Sequence, residues 1–152
     1  MNSEFTHLLV ALDGSGLAEV ALPVAIAFAR QTGSDITLLH VVEADAPATI
    51  HGDYHLRTQT EATEYLDALA DSLRQESLAI HTVVSPAGAR GVAATISDAL
   101  DEHGCDLLIL ATHGEGGLRD LLFGRVAQQV LHLATRPMVI VPATRKVTAF
   151  DC

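Results

Sequence analysis

DLLILA, from Asp106 to Ala111, is the most apolar run of the chain, and it leads directly into the glycine-rich stretch THGEGG, from Thr112 to Gly117. A short apolar run that ends at such a polar break is typical of a strand buried on both faces of a parallel sheet. HLLVAL, from His7 to Leu12, has the same form and ends at Asp13-Gly14-Ser15-Gly16. The two stretches predict two buried strands that each end in a glycine-containing loop.

Three more apolar or β-branched runs predict strands: Asp35–Val42, Leu78–Val84 and Met138–Val141. Apolar residues recur at helical spacing between the strands, over residues 17–31, 56–76, 92–100 and 118–134. Strands that alternate with helices of this length imply right-handed crossovers and a parallel sheet. We therefore predict an α/β fold with a doubly wound, five-stranded parallel sheet and helices on both faces. A single domain spans residues 1–152, with a tail from about residue 143.

The composition excludes several classes of function. Nine basic residues against nineteen acidic ones give a net charge of −10, and only 4% of the residues are aromatic. Nucleic acid would be repelled by that charge and would find few rings to stack on. No apolar run is long enough to cross a membrane. Two cysteines, Cys105 and Cys152, are too few for a disulfide framework, so a cytoplasmic setting is expected.

The loops after the first and fourth strands are candidates for an anion site. In a doubly wound sheet, ligands bind beyond the carboxyl ends of the strands, where the strand order reverses. Each loop leads into a helix whose N-terminal amides favour phosphate, and glycine lets those amides approach closely. Each loop by itself also fits an ordinary turn between a strand and a helix. The two loops together favour an anionic ligand if the first and fourth strands are neighbours.

Four stretches are similar to the universal stress protein family, which is related to the adenine nucleotide α hydrolase-like folds. They are VALDGS (10–15), LLHVVE (38–43), DLLILATHGEGGLRDLLFGRVAQQVL (106–131) and RPMVIVP (136–142). The resemblance implies the strand order 3-2-1-4-5, which makes the first and fourth strands neighbours. It also implies that an adenine nucleotide, ATP with or without Mg²⁺, binds between those two strands.

The resemblance further implies a homodimer that pairs the last strand, Met138–Val141, across a two-fold axis. That strand carries no charge, and a bare apolar edge strand invites aggregation. Pairing with a second copy would remove the bare edge. A C-terminal tail that covers the edge is the alternative.

The ATP-binding members of that family share a glycine signature that this chain matches in part. The signature is glycine, two residues, glycine, nine residues, then glycine followed by serine or threonine. Gly114 and Gly124 fit it, whereas Ala111 replaces the first glycine and Arg125 the final hydroxyl residue. The methyl of Ala111 is tolerable in a β conformation, but would crowd a nucleotide that approached it closely. Arg125 could offer a charged fork to phosphates or could point into solvent.

By the same resemblance, the predicted nucleotide-binding residues are Ala11, Asp13, Val41, Ala111, His113, Gly114, Gly117, Gly124, Arg125 and Val126. Asp13 is expected near the adenosine and Val41 near the adenine. A carboxylate only accepts hydrogen bonds, which suits a ribose hydroxyl or an adenine amino group. The alternative for Asp13 is a cap for the following helix. The alternative for His113 is an exposed loop histidine.

Two functions from different classes remain. The first is a regulatory protein that binds an adenine nucleotide, and the second is a dimeric interaction module of the same fold that binds none. An enzyme is disfavoured because the chain has no Walker lysine motif, nucleophile elbow or dinucleotide-binding loop, which leaves at most slow ATP hydrolysis. His51, Asp53 and His55 lie close in sequence, but loop histidines are more often solvated, so no metal site is predicted.

Overall fold

The strands and helices alternate along the chain as the sequence predicts. The computed structural model describes residues 4–16, 18–43, 49–50, 53–54, 56, 58–113 and 125–143. The strands are β1 His7–Ala11, β2 Asp35–Val42, β3 Thr49–Ile50, β4 Asp53–Tyr54, β5 Ile80–Pro86, β6 Leu107–His113 and β7 Met138–Ala143. The helices are α1 Ala21–Thr32, α2 Gln59–Arg74, α3 Val92–Glu102 and α4 Arg125–Leu133.

The five longer strands form one sheet in the order β5-β2-β1-β6-β7. Every pairing within that sheet is parallel. Counted among these five strands in chain order, the arrangement is 3-2-1-4-5, which confirms the predicted topology. The strand order therefore reverses between β1 and β6, and this is the position at which a doubly wound sheet opens a crevice.

The core lies in two layers, one on each face of the sheet. Successive strand residues point to opposite faces, so Leu8 and Val10 pack with α1 and α2, whereas Leu9 and Ala11 pack with α3 and α4. The prediction of helices on both faces is confirmed. β1 is buried through this arrangement because it has a strand on each side and helices above and below.

Four predicted strands end elsewhere in the structure: β1 ends one residue earlier than predicted, and β7 ends two residues later. β6 continues through His113, so Thr112 and His113 extend the strand instead of opening the glycine-rich loop, because they pair with Pro142 and Ala143 of β7. β5 begins and ends two residues later than predicted. Ser85 and Pro86, which lie beyond the predicted strand, pair with the end of β2. Proline is accommodated there because β5 is an edge strand.

The region from Glu43 to Tyr54 holds a short antiparallel hairpin of β3 and β4, which the sequence pattern does not predict. The first helix begins later than predicted, because a 3₁₀ turn at Ala18–Val20 precedes it. It ends at Thr32, and the next residue, Gly33, has a left-handed φ of 73° and an amide that donates to the Ala29 carbonyl. Residues 118–124 of the predicted fourth helix and the tail beyond Ala143 lie outside the described residues.

Asp106 fastens the amino end of β1 to β6. Its Oδ2 accepts hydrogen bonds from the backbone amide and hydroxyl of Thr6 at 2.9 and 3.0 Å. Its Oδ1 accepts from the amide of His7 at 3.2 Å, and its own amide donates to the His7 carbonyl at 2.9 Å. One side chain therefore satisfies three donors just before the two central strands begin to pair.

We expect Asp106→Ala to lower the free energy of unfolding by about 1–2 kcal/mol, because the replacement removes three hydrogen bonds and leaves the half-buried amide of His7 without its acceptor. Asp101→Ala is the matched control. It removes an exposed carboxylate 3.4 Å from Arg136, and a surface ion pair is worth at most about 1 kcal/mol. Urea unfolding of both variants provides the comparison. Equal losses would show that Asp106 does not fasten the strands.

Candidate functional site

The chain leaves β1 in a tight turn made by its own side chains. Asp13 Oδ1 accepts hydrogen bonds from the amide and the hydroxyl of Ser15, at 2.8 and 2.5 Å. The Ser15 hydroxyl oxygen in turn accepts from the amide of Ala18 at 3.2 Å. Between Asp13 and Ser15, Gly14 has a φ of 90°, a backbone conformation that glycine adopts without strain. Ser15 is completely buried, whereas Gly16 is exposed, so the turn connects the core to the surface.

This turn changes the prediction for the first loop. The amides of Ser15 and Ala18 already bind Asp13 and Ser15, so they are not donors for a phosphate. The cap of the following turn is Ser15, which was not among the residues predicted to have a role. The order Asp-Gly-Ser after a strand is the signal that could have found it, because aspartate often accepts from the amide two residues on.

Three of the predicted binding residues share one face of the sheet. Ala11 and Val41 belong to the buried cluster on the α3 and α4 side, and Val126 packs against that cluster. Ala11 and Val41 each keep 7% of their surface exposed. Asp13 follows Ala11 by two residues at the carboxyl end of β1 and is half-buried. The carboxyl end of β1, where the strand order reverses, therefore carries a small buried apolar side chain followed two residues later by a half-buried carboxylate.

Ala111 lies on the opposite face. It is inside β6, paired with Val141, and it packs against the cluster on the α1 and α2 side. The backbone there is extended, as a tolerated replacement of glycine by alanine requires. The methyl group points away from the face that holds Ala11 and Val41, so it does not crowd a ligand on that face.

The remaining predicted residues are described only in part. Gly114, Gly117 and Gly124 lie outside the described residues, and for His113 only the backbone is described. Arg125 is the first described residue of α4 and is exposed. It makes no hydrogen bond or ion pair with the described part of the chain.

Cys105 lies two residues before β6, and its thiol is free and buried. Burial raises the pKa of Cys105 to about 11, and Asp106 adds to the increase, whereas a hydrogen bond with Thr37 opposes it. The thiol is therefore protonated at neutral pH. Since the thiolate is the nucleophilic form, Cys105 is a core residue and not a reacting group.

We expect Cys105 in folded protein to react with iodoacetamide at least about a hundredfold more slowly than a free thiol, because both burial and the raised pKa suppress the thiolate. The measurement is mass spectrometry of alkylated protein in a Cys152→Ser background, so that one thiol is followed. The same protein in denaturant is the control and should react fully. Rapid alkylation of the folded protein would contradict the assignment of Cys105 to the core.

Two further features bear on other functions. No group of three or more histidine, cysteine, aspartate or glutamate side chains among the described residues could hold a metal ion. His51 and His55, considered from the sequence as possible ligands, lie outside those residues. Within the same described ranges, no helix is long and apolar enough to cross a membrane.

Comparison with known proteins identifies relatives over nearly the whole chain. The sequence profile of the Universal stress protein family matches residues 4–142. Universal stress protein YxiE of Bacillus subtilis (strain 168) is 26% identical over 151 residues, covering 90% of this chain and 99% of the relative. Universal stress protein Sll1654 of Synechocystis is 27% identical over 139 residues, covering 91% and 86%.

Solved structures share the fold. A universal stress protein in complex with cAMP aligns with a TM-score of 0.67 and 18% identity, covering 93% of this chain and all of that one. A universal stress protein from Archaeoglobus fulgidus aligns with a TM-score of 0.67 and 22% identity, covering 90% and 93%. At this level of identity, the structural similarity establishes the architecture alone.

Proposed function

The chain belongs to the universal stress protein family, and we propose that it is a regulatory protein that binds an adenine nucleotide, ATP with Mg²⁺, between the carboxyl ends of β1 and β6. The observation that carries the proposal is the reversal of strand order between these two strands. Val10 pairs with Ile109, and the chain reaches Asp13 and Thr112 three residues beyond that pair. The two strands therefore end side by side at the position where doubly wound sheets bind ligands.

The nucleoside would lie on the β1 and β2 side of the crevice. Ala11 and Val41 are apolar residues on that face, each 7% exposed, and Asp13, two residues beyond Ala11, is half-buried. A carboxylate accepts hydrogen bonds from a ribose hydroxyl or an adenine amino group. The structure solved with cAMP in a relative of this fold supports an adenine nucleotide as the class of ligand.

The phosphates would lie on the β6 and α4 side. On the β1 side, the Asp13 charge repels them, and the amides of Ser15 and Ala18 are already hydrogen-bonded. On the β6 side, Arg125 is the first described residue of α4 and is an exposed positive charge. Arginine donates in pairs to phosphate oxygens, which makes Arg125 a functional substitute for the hydroxyl residue of the family signature.

A net charge of −10 does not oppose this binding strongly. At physiological ionic strength, exposed charges are screened beyond a Debye length of about 8 Å. The groups within that distance of the ligand therefore determine its affinity. A single nearby guanidinium outweighs distant carboxylates.

The first experiment is calorimetric titration of nucleotide-free protein with Mg-ATP and with adenosine. We expect micromolar binding of ATP, weakened about tenfold by Arg125→Ala, because a charge-assisted hydrogen bond to phosphate is lost. Adenosine affinity should be unchanged in that variant, since adenosine has no phosphate. Arg136→Ala is the matched control because Arg136 is an exposed arginine that precedes the amino end of β7.

Each other outcome has a definite meaning. Equal losses for ATP and adenosine in the Arg125 variant would contradict its role with phosphate. No binding of ATP by the wild-type protein would contradict the proposed function. It would leave the second candidate, a dimeric interaction module of the same fold.

We also propose that β7 pairs with β7 of a second copy. The amide of Leu108 donates to the carbonyl of Pro137 at 3.0 Å. In a parallel ladder with this register, the peptide groups of Val139 face β6, and those of Met138 and Ile140 face the opposite side. The outer side of β7 therefore carries hydrogen-bonding groups that an antiparallel partner strand would satisfy.

We expect Ile140→Pro to convert the dimer into a monomer, because it removes the donor on the outer side and leaves the donors toward β6 intact. The measurement is sedimentation velocity, with circular dichroism to verify the fold. Pro142→Ala, which restores a donor to the same side, is the control and should remain dimeric. A monomeric wild-type protein, or a dimeric Ile140→Pro variant, would contradict pairing through β7.

A further inference from the structure

We propose that His40 is a positioning residue. By binding the backbone that precedes Asp13, it sets the orientation of Asp13 toward the ligand. His40 lies near the carboxyl end of β2, within LLHVVE, and only 1% of its surface is exposed. Its Nδ1 is 2.8 Å from the carbonyl oxygen of Leu12. Its Nε2 is 3.4 Å from the carbonyl oxygen of Leu56, in the segment that precedes α2. The part of this proposal that concerns the ligand rests on the proposed function.

The shorter contact defines which nitrogen donates. A carbonyl oxygen only accepts hydrogen bonds, so the His40 Nδ1 that faces Leu12 carries the proton. The 3.4 Å contact with Leu56 is longer and contributes less. The bond to Leu12 lies in the interior, where a hydrogen bond is stronger than in water and an unpaired carbonyl is costly.

This bond acts on the peptide unit that leads into Asp13. β1 ends at Ala11, and its ladder with β2 reaches only one backbone group farther, the amide of Leu12. β2 nevertheless holds both backbone groups of Leu12: its amide donates to the Leu39 carbonyl at 2.8 Å, and its carbonyl accepts from His40. The Leu12 carbonyl and the Asp13 amide belong to one planar unit, so His40 fixes the plane from which Asp13 departs.

The same strand segment carries a second group of the proposed nucleoside site. Val41 follows His40 directly and is on the opposite face of β2. The imidazole therefore links the backbone that bears Asp13 to the backbone that bears Val41. A ligand that contacts both side chains needs that spacing fixed before it arrives, because ordering it on binding would cost affinity.

Two substitutions distinguish a positioning role of His40 from a role in which its side chain only fills space in the core. In His40→Asn, the side-chain amide places a donor close to the position of Nδ1, so the bond to Leu12 is retained. In His40→Gln, the amide reaches toward the position of Nε2, and the bond to Leu12 is lost. We expect the Gln variant to bind both ATP and adenosine about tenfold more weakly and the Asn variant to bind within about twofold of wild type. A loss for both ligands distinguishes this effect from that of Arg125→Ala.

A measurement without nucleotide tests the geometry by itself. The backbone ¹H–¹⁵N resonances of Asp13, Gly14 and Ser15 should shift in His40→Gln and stay near their wild-type positions in His40→Asn. In the wild-type protein, a long-range ¹H–¹⁵N spectrum should show His40 protonated at Nδ1, which requires no variant to fold. If ATP does not bind but these resonances behave as expected, the proposed function fails and the positioning of Asp13 stands.

The proposal is overturned by any of three results. The first is a His40 ring that is unprotonated at Nδ1. The second is an equal response of the Asp13–Ser15 resonances in the two variants. The third, for a protein that binds ATP, is an equal loss of affinity in both variants, which a purely structural role in the core would produce.

Discussion

The central strand β1 is the element on which the rest of the fold depends. Leu8, Leu9 and Val10 are completely buried, because β1 has β2 on one side, β6 on the other and a helical layer on each face. Its ends are fixed as well: Asp106 binds the backbone before the strand, and β2 binds Leu12 after it. The turn at Asp13 thus starts from a rigid position, and its own side chains complete it.

The sequence predicts the fold well because each long strand and helix has its own local pattern of apolar residues. Apolar runs and helical stripes alternate, and the handedness rule for crossovers limits how they assemble. The hairpin of β3 and β4 could not be predicted in this way, since strands of two residues have no measurable period. Thr112 and His113 are polar and therefore predict a loop, yet pairing with β7 makes them strand, and pairing between distant segments is not visible in composition.

The candidate site is predictable in outline but not in detail. The glycines in the sequence identify the two loops, and the strand order places the carboxyl ends of β1 and β6 side by side. It does not show that Ala111 packs on the opposite face from Ala11, because that depends on the register between strands. The role of His40 is hidden for the same reason: its two carbonyl partners are 28 and 16 residues away in sequence. The role of Ser15 could have been predicted, because the hydrogen bonds of its turn join residues that are close in sequence.

Both outer strands of the described sheet contain a proline near their carboxyl ends, Pro86 in β5 and Pro142 in β7. The amide of Ala87 donates to Val42, so in a parallel ladder the missing donor of Pro86 is on the outer side, as it is for Pro142. Neither edge can template an added strand along its full length. A strand added at either of these edges could pair only with the residues that precede the proline, which disfavours extended edge-to-edge association.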